Sequence, residues 1–306
     1  ASNEKKQELF SYQQNFFRKA GTLAEEDRVN AYIFGDEDDP VKLHYFTEML
    51  RKHSIDIYSL KNDLKVDGKN FKEGAAYLVP AKQNQYRLIK SLFEKRTTFE
   101  DSIFYDVSSW TMPPAFNLDY AALTGEPDLD SYKGKKIGKQ SMPEGEIIGG
   151  KSKIGYIASG QNYNVHSLLY KLKKKELIAR VAGKSFTTTI DSEAQHFKNG
   201  SLFIPSVNQP VKSEALYTYL DSLARELGID LYGLETGLSR KGIDMGSWNF
   251  NPVKQPKILV VAGNGVSSGS AGEIWHLLDH KMEISLTMTK PERLKRVDLH
   301  DYNTLI

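Results

Sequence analysis

The chain has 306 residues, 40% of them hydrophobic and 26% charged, a composition typical of a globular protein with two or three domains. Its 41 basic and 39 acidic residues give a net charge of +2, too small an excess to indicate a nucleic-acid partner or an anionic membrane surface. Cysteine is absent, which excludes thiol nucleophiles, zinc–thiolate sites and disulfides, and no apolar run reaches the ~20 residues that a membrane span requires.

Residues 1–29 are predicted to form a connecting helix. Leu9, Phe16 and Leu23 recur at helical spacing among polar residues, a pattern typical of a helix with one apolar face. The chain starts with Ala-Ser-Asn-Glu, which is neither an initiator methionine nor a signal peptide. We therefore expect a further segment upstream of this helix.

Residues 30–150 are predicted to form a first α/β region that ends in an aromatic and Lys/Gly-rich insertion. Asp39 followed by Pro40 is typical of a helix start, because aspartate caps the first turn and proline fits its first position. The order is strand, helix, strand, strand, helix, with strands predicted at Asn30–Gly35, Ile55–Leu60 and Ala75–Val79 and helices near Leu43–Leu50 and Tyr86–Leu92.

Residues 151–255 are predicted to repeat this order as a second α/β region. Phe197-Lys-Asn-Gly200 leads into an apolar strand that ends at Pro205, just as Phe71-Lys-Glu-Gly74 leads into one that ends at Pro80. The two phenylalanines are 126 residues apart. The motif and the element order together indicate an internal repeat.

Residues 256–306 are predicted to begin a third region and to stop within it, so we expect the parent protein to continue. Ile258–Val261 indicates a buried strand, and Ser270 with Glu273 three residues later indicates a capping box that opens a helix. A return strand is predicted at Glu283–Met288, and Asp301–Ile306 stands where the next strand should run. Strand–helix–strand crossovers predict repeated flavodoxin-like units, with mostly parallel sheets and helices on both faces.

A glycine- and serine-rich loop precedes the helix of the third region. Helix N-termini attract anions, so Ser267, Ser268, Gly269 and Ser270 form a candidate anion loop. The loop lacks a P-loop lysine and a dinucleotide fingerprint, and a tight turn with a helix cap explains it equally well.

Metal-ligand spacing occurs at His280-Lys-Met-Glu283, with His276 one helical turn earlier. We interpret this spacing as coincidental and predict no metal or other cofactor in this chain.

Ser206, after the strand that ends at Pro205, is a candidate nucleophile for a serine hydrolase, although no histidine lies near it in sequence. A structural role is the alternative for this serine. The aromatic segment around Trp110 is a candidate binding platform, with core packing as its alternative.

Several stretches resemble the region downstream of the catalytic domain in large bacterial zinc carboxypeptidase (carboxypeptidase A-like) proteins, including those of Bacteroidetes. They are Tyr77–Pro80, Gln85–Lys90, Phe99–Trp110, Thr236–Ser239, Met245–Ser247 and Ser270–Asp279. The resemblance implies a class I glutamine amidotransferase-like fold, a zinc-bearing peptidase domain upstream, and a periplasmic or extracellular location. It carries no active site into this chain, which has neither the zinc motif in context nor an amidotransferase cysteine.

Two functions from different classes follow from these observations. The chain is either a non-catalytic accessory region that packs on the peptidase domain of the same polypeptide, or an independent α/β module that binds an anion, a peptide or a glycan. A serine hydrolase using Ser206 is a third alternative. A homo-oligomer remains compatible with the sequence.

Overall fold

The computed structural model describes residues 5–95, 111–125 and 128–306. The chain is a mixed α/β protein that divides into two compact units, a first unit of residues 1–142 and a second unit of residues 143–306. Among the described helices, none combines the length and the hydropathy that crossing a membrane would require.

The first unit begins with a long helix and continues with an α/β segment of the expected order. Its helices are α1 (Lys6–Glu26), α2 (Pro40–Lys52), α3 (Tyr86–Phe93), α4 (Met112–Ala115) and α5 (Leu129–Tyr132). Its strands are β1 (Val29–Gly35), β2 (Tyr58–Leu60), β3 (Leu64–Val66), β4 (Lys69–Phe71), β5 (Ala76–Pro80), β6 (Asp119–Thr124) and β7 (Lys133–Lys136). The Asp39 cap of α2 is confirmed, because its carboxylate accepts a hydrogen bond from the Lys42 N–H at 3.0 Å.

The second unit repeats this order and adds a three-stranded sheet near its end. Its helices are α6 (Val165–Lys174), α7 (Ser213–Leu227) and α8 (Ser268–Trp275), which runs on into a π-helical turn (His276–Lys281), and two 3₁₀ turns follow at Pro291–Arg296 and Leu299–Asp301. Its strands are β8 (Ile147–Ile148), β9 (Gly155–Ala158), β10 (Arg180–Ala182), β11 (Phe186–Ile190), β12 (Glu193–Phe197), β13 (Leu202–Pro205), β14 (Leu231–Gly233), β15 (Phe250–Pro252), β16 (Ile258–Val261), β17 (Leu286–Thr289) and β18 (Thr304–Leu305).

The prediction of mostly parallel sheets is wrong for the two larger sheets. The order β6-β1-β5-β2-β7 is antiparallel at every pairing, and in β15-β10-β13-β9-β14-β8 only β14 and β8 are parallel. The crossover strands β1 and β2 do run in the same direction, as do β9 and β10. However, the later strand β5 or β13 lies between them in the opposite direction, so each parallel pair is separated.

In the described residues, the two larger sheets also lack the helices that the sequence predicts on both faces: a hairpin covers most of one face of each, joined in the first sheet by the one-turn helix α5. In β1, Tyr32 and Phe34 pack on α2 and α3, whereas Ala31 and Ile33 face the β3–β4 hairpin, as the period-two alternation of a strand requires. In β9, Tyr156 faces α6 and α7, while Ile157 packs against the β11–β12 hairpin. A hairpin thus covers the face where a doubly wound fold would place helices.

The three-stranded sheet of the second unit has the parallel pairing that the sequence predicts. Its order is β17-β16-β18, and both pairs are parallel. Ile258, Leu259 and Val260 are buried, as expected for a central strand.

A side-chain amide marks the same position in both repeats. Gln83 accepts a hydrogen bond from the Asp56 N–H and donates to the carbonyls of Asp56 and Pro80. Gln209 makes the same three bonds with Ile178 and Pro205. The glutamines and the motif phenylalanines both shift by 126 residues, but the intervening prolines shift by 125, so the spacing is not constant along the repeat.

Candidate functional site

A pocket of about 340 Å³ opens at one edge of the six-stranded sheet in the second unit. It is formed where β13 ends and where β9 and β10 begin, together with the loop after β14. Its lining combines two cations and an amide with apolar side chains: Lys153, Arg180, Asn208, Ile154, Ile178, Phe203, Val207 and Met245, with Pro205, Gly237 and Gly246. We call this the Arg180 pocket.

Ser152 fixes the wall that carries Lys153 and Ile154. Its hydroxyl accepts hydrogen bonds from the N–H groups of Ile154 and Gly155, both at 3.0 Å, and donates to the Leu234 carbonyl at 2.5 Å. Ser152 is itself buried. The segment that leads into β9 is therefore held by the hydrogen bonds of the Ser152 side chain as well as by the backbone bonds of the sheet.

The pocket is positively charged. Arg180 is half-buried, Lys153 is exposed, and among the described residues that line the pocket none is acidic. In the described part of the chain, neither cation forms a salt bridge or a side-chain hydrogen bond. An unpaired, half-buried guanidinium presents a planar fork of donors that matches a carboxylate.

The equivalent edge of the first unit is closed by a helix. Ala20 and Ala24 of α1 are buried against Ala81 and Tyr86. Ala81 follows Pro80 as Ser206 follows Pro205, and the Ala81 N–H donates to Asn30 just as the Ser206 N–H donates to Ile154. The two repeats share a backbone frame there, but only the first unit places a helix on it.

An ion pair fastens α1 to that edge. Asp27 accepts hydrogen bonds from Lys90 Nζ at 2.7 Å, from Tyr86 Oη at 2.5 Å and from the Val29 N–H at 3.1 Å. Burial raises the pKa of Asp27, but the three hydrogen bonds outweigh it and lower the pKa to about 2.

The second unit has a surface ion pair beside the segment that leads into β9. Lys151, which precedes Ser152, forms a salt bridge with Glu214 of α7.

Ser206 has a structural hydrogen bond. Its hydroxyl donates to the Ser152 carbonyl at 2.7 Å, and no histidine in the described residues forms a hydrogen bond with it. The structure therefore brings Ser206 to the rim of the Arg180 pocket without a base beside it.

The predicted capping box of the third region is wrong in register. Ser267 is the N-cap of α8, and its hydroxyl accepts a hydrogen bond from the Ser270 N–H at 3.3 Å. Ser270 lies at the third helical position, so the helix begins before the serine that was expected to cap it. Ser267, Ser268, Gly269 and Ser270 are exposed at this helix N-terminus.

The His280 and Glu283 side chains, which have metal-ligand spacing in the sequence, have different partners in the structure. Glu283 is bound to Lys171 at 2.6 Å, whereas the His280 ring packs edge-on against Trp275 and stacks on His276 with centroids 5.7 Å apart. In the described ranges, no group of three or more His, Asp or Glu side chains is placed to hold a metal ion.

The apolar face of α1 divides into a covered and an uncovered part. Ala20 and Ala24 are buried, whereas the earlier part of the stripe is exposed, to 59% at Leu9, 60% at Phe10 and 41% at Phe16. The exposed part also includes Tyr12, Phe17 and, between the two alanines in sequence, Leu23. We call this exposed part the α1 surface.

Trp110 and its neighbours lie outside the described residues. Phe116, six residues after Trp110, packs against Phe46 with ring centroids 5.0 Å apart and belongs to the core of the first unit.

Sequence reasoning missed the Arg180 pocket. The available signal was a length difference: two residues separate Pro80 from Gln83, but three separate Pro205 from Gln209. The extra residue accompanies Asn208 in a left-handed conformation with φ 59°, and Val207 is exposed beside it. No family model, curated protein or solved structure matched the chain in the comparisons.

Proposed function

We propose that the chain is a non-catalytic accessory region of a zinc carboxypeptidase-like protein and packs on the peptidase domain of the same polypeptide. The observation that carries this proposal is the α1 surface. Leu9, Phe16 and Leu23, and likewise Phe10, Phe17 and Ala24, are seven residues apart, so two rows run along one side of the helix.

The division of this stripe supports docking to another domain. Ala20 and Ala24 bury their part against the first unit, while Leu9, Phe10 and Tyr12 stay in solvent. Fully burying a Leu or Phe side chain contributes ~1.5–3 kcal/mol, and contiguous exposed apolar surface marks interaction sites. A partner that covers the α1 surface would therefore be stabilised by several such side chains.

The resemblance to zinc carboxypeptidases suggests which partner would cover the α1 surface. The resemblance places a zinc peptidase domain upstream, and α1 is the first described element of this chain. The order β17-β16-β18 is consistent with the first three strands of a flavodoxin-like sheet, which supports the amidotransferase-like assignment for the third region. Zinc, substrate peptides and a periplasmic or extracellular location belong to this proposal.

The test compares this chain with the full-length protein encoded by its gene. We expect stoichiometric zinc and release of C-terminal amino acids only in the full-length protein. Stoichiometric zinc in this chain alone would overturn the accessory role, and His276, His280 and Glu283 would then be tested as its ligands. A full-length protein without zinc or peptidase activity would overturn the family assignment.

A paired substitution tests the docking itself. In the full-length protein, Leu9→Asp with Phe10→Asp should increase hydrogen exchange of α1 and lower Tm, because charge cannot be buried against the peptidase domain. In this chain alone the same change should leave Tm nearly unaltered, since both side chains are mostly exposed. Ser11→Asp, on the opposite side of α1, is the matched control. If this chain alone forms a dimer that the double substitution dissociates, the surface is a self-association site and docking to the peptidase domain is excluded.

A further inference from the structure

The Arg180 pocket has the size of a small-molecule site. Its volume of about 340 Å³ is near the lower end of the ~300–1,000 Å³ that is usual for ligand pockets. Its wall is fixed by Ser152 and its floor by the sheet, so little has to be ordered when a ligand enters.

The lining specifies a chemical class. Arg180 and Lys153 supply positive charge without a carboxylate to neutralise it, and the Asn208 amide adds a neutral polar group. Ile154, Phe203 and other apolar side chains form the rest of the lining. We propose that this pocket binds a small carboxylate that carries an apolar chain of about four to six carbons.

Comparison with the first unit makes a helix an unsuitable occupant of the Arg180 pocket. There, Ala20 and Ala24 of α1 pack on the small side chain of Ala81. In the second unit, an apolar helix that covered the pocket would leave the charge of Arg180 unpaired, which is unfavourable. A small anion instead neutralises the guanidinium.

Binding of 4-methylpentanoate to the 306-residue chain tests this proposal, with 4-methylpentanamide as the neutral isostere. We expect saturable binding of the acid with Kd of about 1 mM or tighter, shifts of the Met245 methyl resonance, and at least about tenfold weaker binding of the amide. Equal affinity for acid and amide would overturn the proposal. Inorganic phosphate that binds at the same resonances more tightly than the acid would also overturn it.

Variants locate the charge. Arg180→Gln keeps most of the side-chain length and should weaken binding of the acid by about tenfold, while binding of the amide changes little. Lys153→Gln, at an exposed position, carries the same expectation if Arg180→Gln fails to fold. Lys174→Gln, an exposed lysine on α6 outside the pocket, should leave the affinity unchanged. If all three variants bind like the original chain, the acid is not held at this pocket.

Discussion

Asp27, which follows the last residue of α1, connects this helix to the rest of the first unit. It is largely buried, and it satisfies Lys90, Tyr86 and a backbone N–H at once. Such a group stabilises the fold only while it is ionised, because the neutral acid loses the ion pair and part of the hydrogen bonding.

The pH dependence of Asp27 follows from the direction of its pKa. The pKa is about 2 in the folded chain and ~3.9 in an unfolded one, so the contribution, roughly 2 kcal/mol, is complete above about pH 5 and is lost as the pH falls from about 4 to 2. Asp27→Asn should lower the unfolding free energy at pH 7 by about 1–3 kcal/mol. Denaturant unfolding of both proteins from pH 7 to pH 2 should reveal a difference that shrinks toward acid.

Asp130→Asn is the control for this prediction, since Asp130 is exposed on α5. It should change stability by less than about 0.5 kcal/mol. A constant difference between Asp27→Asn and the original chain across the pH range would refute the linkage.

Lys90, the partner of Asp27, has the opposite pH dependence. The Asp27 hydrogen bond raises the pKa of Lys90, so the stability that Lys90 contributes is present below the usual lysine pKa and is lost as the pH rises beyond it.

Helix α8 illustrates what decides where an element begins. Ser267 has an extended backbone and accepts the Ser270 N–H, so it satisfies a donor that the first turn of the helix leaves free. Ser270 and Glu273 have the spacing of a capping box, yet they lie inside the helix. Spacing by itself cannot choose between two serines three residues apart.

Two alanine substitutions separate these assignments. Ser267→Ala should lower the unfolding free energy of the second unit by about 1 kcal/mol, because the cap is lost. Ser270→Ala should be neutral or slightly stabilising, because alanine has the higher propensity inside a helix. Urea unfolding followed by Trp275 fluorescence, in a background in which Trp110 and Trp248 are replaced by phenylalanine, measures both. A larger loss for Ser270→Ala than for Ser267→Ala would restore the capping box that the sequence predicts.

At the scale of the whole molecule, each hydrophobic cluster belongs to a single unit. The clusters around Phe34, Ile33 and Ala20 use residues of the first unit, and those around Tyr156, Phe186 and Val260 use residues of the second. A unit with its own core has what it needs to fold alone.

Fragments 1–142 and 143–306 should therefore each fold when produced separately. We expect cooperative thermal unfolding and dispersed amide resonances from both. A cut at residue 200 is the control, because it separates β13 from β9 and β10 and should leave an unfolded or aggregated product. If fragment 143–306 remains unfolded while the complete chain folds, the two units are not independent.

The local elements of this protein were largely predictable from its sequence. Residues 6–26 carry a helical apolar period, Asp39-Pro40 marks the start of α2, and Ile258–Val261 forms the central strand of a parallel sheet. These signals depend on neighbours within about one or two turns of chain, so they can be recognised locally. The Phe71 and Phe197 motifs likewise revealed the internal repeat.

Strand direction and site geometry required the tertiary structure. β5 could lie at the edge of the sheet or, as observed, between β1 and β2. Its position depends on hydrogen bonds between distant segments, and the alternation of apolar and polar side chains does not reveal them. Asp27 meets a lysine 63 residues away, and the Arg180 pocket joins segments from Lys153 to Gly246. The sequence alone determined the longer helices, about half of the described strands and the repeat, because propensity and amphipathic period are local. Only the tertiary structure decided the antiparallel insertion, the hairpin-covered faces and the pocket, because each arises from contacts between residues far apart in the chain.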